Sequence, residues 1–86
     1  MEQEEFIIAL NQKHYSFRIV GDIIIVDHPG HVNLDNLDTL PKNIKFMNNG
    51  YVSLSSLAEL SENIKFENNG EVYLKTGLYK HGHFKP

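Results

Sequence analysis

The side chains of this chain that could do chemistry are five histidines and a scatter of carboxylates and serines. His81 and His83 stand two apart near the C-terminus, so on extended backbone they share a face, and imidazole is a common ligand for zinc, copper or nickel. His28 and His31 are the next members of such a set. No cysteine or carboxylate completes it beside the tail, so a solvated tail is the simpler interpretation and neither metal nor other cofactor is assigned. Asp35, Asp38, Glu59, Glu62, Glu67 and Glu71 could pair for acid–base work, but they fall at corners and outward positions, where charges are usually solvated. Ser53, Ser55 and Ser56 form a hydroxyl cluster with no histidine at a matching position of the same repeat. Phosphate-binding glycine loops, nucleophile elbows and HExxH motifs are missing. No enzyme activity is expected.

What would position these groups is a tandem repeat of twenty residues. Residues 30–49 read GHVNLDNLDTLPKNIKFMNN and residues 50–69 read GYVSLSSLAELSENIKFENN, identical at eleven positions; a third copy opens at Gly70 as GEVYLK and breaks off. Val32 and Leu34 recur as Val52 and Leu54 and as Val72 and Leu74, alternating as in a strand with one face buried. Ile44 and Phe46, recurring as Ile64 and Phe66, mark a second strand. Leu37 and Leu40, matched by Leu57 and Leu60, sit three apart, which suits a 3₁₀ turn or an irregular corner against the core. Asn48-Asn49-Gly50 and Asn68-Asn69-Gly70 close each copy, since Asn and Gly tolerate left-handed backbone. One copy cannot bury its apolar residues alone, so successive copies are expected to stack strand on strand at about 4.8 Å. Asn48 then lies over Asn68, Phe46 over Phe66 and Leu37 over Leu57, while Lys45 and Lys65 become a like-charge pair that needs solvent or a carboxylate such as Glu67.

The expected fold is all-β and one domain: an N-terminal β cap over residues 1–29, a right-handed β-solenoid of about two and a half coils over 30–77, and a C-terminal tail over 78–86. In the cap, Phe6, Ile8 and Leu10 alternate, as do Tyr15, Phe17 and Ile19, which predicts a hairpin around the polar residues between them. A turn follows at Gly21-Asp22, then a β-branched run from Ile23 to Val26 fit for a sheet centre, then the breaker Asp27-His28-Pro29-Gly30. Leu78, Tyr79 and Phe84 could fold over the open end of the stack, because a bare strand edge invites association.

Composition narrows the partners. The formal charge of −3 is too mild to suggest direct nucleic-acid binding, and Lys42, Lys45 and Lys65 interrupt the acidic set. With no cysteine, an acidic N-terminus unlike a signal peptide, and no apolar run near the roughly twenty residues that span a bilayer, a cytoplasmic protein without membrane contact is expected. The most informative surface is the outward face of the first strand of each copy. Its second position is occupied by His31, Tyr51 and Glu71, and its fourth by Asn33, Ser53 and Tyr73. Tyrosine is enriched at interfaces, though it also serves cross-strand packing. Tyr51, Tyr73, Asn33 and Ser53, with the acidic residues Glu59, Glu62 and Glu71, are therefore the candidate partner-binding residues.

The segment LDTLPKNIKFMNNGYVSL, residues 37–54, resembles the short leucine-rich-like repeats of bacterial and phage proteins, in which a Leu-x-x-Leu-Pro corner precedes the next strand. The resemblance covers Gly30 to Leu74, and the second copy departs from it with Ser61 in place of Pro41. It carries no catalytic motif. It implies a β-solenoid of phage or mobile-element type, and small phage proteins of this size include inhibitors of host CRISPR complexes. The expected function is thus a non-enzymatic protein-binding module, an anti-CRISPR-type inhibitor acting by contact with an effector subunit in the host cytoplasm. The alternative is a structural or assembly protein that self-associates, for instance as a homodimer, through the edge of its stack.

Overall fold

A computed structural model describes residues 1–80 of the chain. Helix α1 (Gln3–Gln12) is followed by β1 (Arg18–Val20), β2 (Ile23–Val26), β3 (Val32–Asn33), β4 (Ile44–Phe46), β5 (Val52–Leu54), β6 (Ile64–Phe66), β7 (Val72–Leu74) and β8 (Gly77–Lys80). The strands form two four-stranded sheets, sheet 1 in the order β1-β2-β4-β6 and sheet 2 in the order β3-β5-β7-β8. In each sheet three strands are parallel and the fourth, β1 or β8, is antiparallel.

The expected all-β fold, a hairpin cap on a β-solenoid, is therefore corrected: the chain is a mixed α/β fold of one helix and two mixed sheets. The error begins at the N-terminus. Phe6, Ile8 and Leu10 do alternate, yet the same stretch also places Phe6, Ala9 and Leu10 at helical spacing. The structure buries those three and leaves Ile8 55% exposed. Glu2 and Glu5 form a reciprocal cap, with the Glu2 amide donating to the Glu5 carboxylate at 3.0 Å, and Glu4 and Glu5 sit favourably in the first turn. The C-terminal strand β8 also lies where only a tail was expected. It returns antiparallel along β7 from the turn at Lys75-Thr76-Gly77.

The apolar residues of the repeats meet in one core between the sheets. Val32, Val52 and Val72 from sheet 2 and Ile24, Ile44 and Phe46 from sheet 1 are essentially fully buried, with Leu34, Leu54 and Leu57. Equivalent residues pair in register, Val32 with Val52, Val52 with Val72, and Ile44 with Ile64. The Phe46 and Phe66 rings stack at 5.3 Å. Phe6 and Leu10 of α1 join the same core. The turn at Gly21 (φ +65°) joins β1 to β2, as its glycine allows.

Candidate functional site

The outward face of sheet 2 gathers most of the candidate residues. Tyr51 stacks on His31 with ring centroids 4.0 Å apart and planes 11° apart, and meets the edge of Tyr73 at 6.3 Å. The Tyr51 amide donates to His31 Nδ1 at 3.1 Å, which fixes the imidazole as an acceptor on that side. Tyr73 pairs across the sheet with Leu78, so both stand on the outer face, whereas Tyr79 turns the other way and its ring lies 5.5 Å from Phe66. The result is a ridge of His31, Tyr51, Tyr73 and Leu78 crossing successive strands, with Tyr73 38% and Leu78 46% exposed.

Asn33 and Ser53 share this face but are engaged internally. The Tyr15 hydroxyl accepts the Asn33 amide at 2.8 Å and donates to the Asn33 carbonyl at 3.3 Å, closing the outer edge of β3 with a side chain. Asn33 Oδ1 accepts the Asp35 amide at 3.0 Å. Ser53, only 8% exposed, donates its hydroxyl to Asp35 Oδ1 at 2.6 Å, and the same oxygen accepts the Ser55 amide at 2.8 Å. The Ser56 hydroxyl donates to the Asp35 carbonyl. These bonds hold the Asp35 carboxyl below the usual aspartate range, first through the Ser53 hydroxyl and next through the Ser55 amide, against a smaller opposing effect of burial. Among the described residues no imidazole joins the group, and the Asp35 carboxylate, by accepting from Ser53 and Ser55, ties the first repeat to the second. By residue type and corner position alone Asp35 reads as a solvated carboxylate, whereas the structure bonds it to the next repeat. The signal that could have found it is that Asp35 in one copy falls opposite Ser55 in the next.

The acidic candidates divide between two places. Glu71 is half-buried beside the start of β7, and its carbonyl accepts the Val52 amide at 2.8 Å. Glu59 and Glu62 are exposed on the long corner between β5 and β6, away from the strands that carry the tyrosines. There Glu59 and Asp38 border a shallow groove of about 420 Å³ running between Asp38–Leu40 and Ala58–Ser61. The structure thus groups Tyr51, Tyr73, Asn33, Ser53 and Glu71 on or beside one sheet and sets Glu59 and Glu62 apart.

His28 and His31 each accept a backbone amide at Nδ1. His28 Nδ1 takes the Ser16 amide at 3.2 Å, and its ring meets Tyr15 edge-on at 4.9 Å. Among the described residues no three of His, Cys, Asp or Glu are gathered to hold a metal ion, and His81 and His83 lie outside those residues. No helix among them is long and apolar enough to cross a membrane. No protein family, curated protein or solved structure matches the chain in comparison with known proteins.

Proposed function

We propose that the chain is a non-enzymatic protein-binding module that meets its partner on the outer face of sheet 2. The observation that carries this is the ridge of half-buried Tyr51 and exposed Tyr73 and Leu78, beside inward residues Val52, Leu54 and Val72 that are buried. A rigid sheet presenting aromatic rings loses little conformational entropy on binding, and tyrosine combines a large apolar area with a polar tip. The resemblance of residues 37–54 to phage repeats supports a concrete form of the proposal, a small inhibitor covering a surface of a CRISPR effector subunit. The test is quantitative capture of effector subunits by the wild-type chain and by Tyr73→Ala. Tyr73 points outward, so its loss leaves the fold intact by circular dichroism. Binding weakens at least tenfold in Tyr73→Ala if the ridge is a hot spot, for which losses of about 2 kcal/mol are typical. Unchanged binding by both Tyr73→Ala and Tyr51→Ala would remove the proposal.

A further inference from the structure

Sheet 1 ends in an unfinished layer. Ile64 and Phe66 of β6 are half-buried, whereas Ile44 and Phe46, their equivalents in β4, are 1% and 0% exposed. Leu60 is likewise half-buried where Leu40 is 3% exposed. The difference is a covering strand: β4 has β6 beside it, and among the described residues β6 has no further neighbour.

The backbone shows the same vacancy. The Ile44 amide donates to the Asn63 carbonyl at 3.2 Å and the Glu67 amide donates to the Phe46 carbonyl at 2.7 Å, so residues 63, 65 and 67 face β4. By the alternation of a parallel ladder, Ile64 and Phe66 turn their amides and carbonyls to the open side. Sheet 2 continues past this level through β7 and β8. The missing layer is therefore a notch, with the β6 edge as one wall and Tyr79, beside Phe66, lining it.

Charge narrows what fits. Lys45 and Lys65 pair in register, one over the other. Among the described residues the ion pair present is Arg18 with Asp27, at 3.3 Å, so neither stacked lysine has a carboxylate within ion-pair distance there. A strand laid beside β6 would place its middle residue next to Lys65.

We propose that the β6 edge accepts an extended segment of another protein with the pattern apolar–acidic–apolar, added to sheet 1 as a further strand. Its backbone completes the ladder at Ile64 and Phe66, its apolar residues cover those two side chains, and its carboxylate lies beside Lys65. A second copy of this chain does not offer that strand. Its edge strands β1, β6 and β8 carry no carboxylate, and two copies meeting β6 to β6 would bring their Lys65 side chains together. The site is separate from the outer face of sheet 2 and does not depend on the function proposed there.

The probe is a fluorescent peptide, Ser-Thr-Val-Glu-Val-Thr-Ser, compared with the same peptide carrying Lys in place of Glu. The Glu peptide should bind one to one, about tenfold more tightly than the Lys peptide, and slow amide exchange at Ile64 and Phe66. Lys65→Glu, an exposed substitution, should reverse the preference. Absence of binding, or equal binding of the two peptides, overturns the proposal. So does concentration-dependent self-association that protects the same amides without peptide, which would assign the edge to a second copy.

Discussion

Asp35 and Gly70 show how single residues hold one repeat to the next. The Asp35 carboxylate bonds the Ser53 hydroxyl and the Ser55 amide, and its folded-state proton affinity is lowered as a result. A carboxyl lowered on folding contributes stability that is fully present above the unfolded value, near pH 4, and is lost as the pH falls through the folded value. The stability gap between wild type and Asp35→Ala should therefore stay constant from neutral pH down to about pH 5 and shrink below about pH 4. Chemical denaturation at a series of pH values reads it, and a gap unchanged to pH 2 would contradict the bonding. Gly70 acts by absence of a side chain. A Cβ there would stand 2.5 Å from the Gly50 carbonyl carbon and 2.6 Å from the Tyr51 nitrogen, both backbone atoms that cannot step aside. Gly70→Ala should cost about 1–3 kcal/mol, visible as a fall of several degrees or more in Tm. Gly21→Ala, with open space around it and only its φ of +65° to strain, should cost less.

Other residue-level features were legible in the repeat itself. Asn48, 1% exposed, places Nδ2 within hydrogen-bond reach of the Gly30, Gly50 and Tyr51 carbonyls at 3.1, 3.2 and 3.0 Å. Asn68 does the same one repeat on, with Gly50, Gly70 and Glu71. The recurring Asn-Asn-Gly marked these corners in advance. The Tyr15 hydroxyl on β3 was not marked, because it reaches a group 18 residues away with no local pattern, and the Asp35 bonds are marked only by the twenty-residue offset from Asp35 to Ser55.

At the scale of elements, the strands of the repeats follow from alternation anchored by identical copies, which is why Val52–Leu54 and Ile64–Phe66 lie where their apolar residues suggested. The N-terminal segment had no second copy to decide between a period of two and a period of 3.6. Phe6, Ile8 and Leu10 satisfy the first; Phe6, Ala9 and Leu10 satisfy the second. Burial in the core selects the helix. Phe6→Ala should cost about 3–5 kcal/mol, a large share of the stability of a domain this small, whereas Ile8→Lys should change stability by no more than about 0.5 kcal/mol. Denaturant melts of the two variants separate the cases, and comparable losses at both positions would contradict the helical register. Strand β8 was missed for a related reason: beyond Leu74 the repeat stops, and Gly77–Lys80 becomes a strand only through its pairing with β7.

At the scale of the whole molecule, the two ends differ. At one end α1 packs Phe6 and Leu10 into the core and Tyr15 closes β3; at the other, β8 closes sheet 2 while, among the described residues, β6 is the last strand of sheet 1. Between them one broad face carries the aromatic ridge. The central claim is that this face is where a partner binds, and site-specific photocrosslinking tests it most directly. A benzophenone side chain placed at position 73, on the ridge, is compared with one at position 62, on the long corner, in cells that express a CRISPR effector. The account predicts a discrete adduct with one effector subunit from position 73 and none from position 62. Adducts from position 62 alone, or none from position 73 while the chain still co-purifies with the effector, would contradict it.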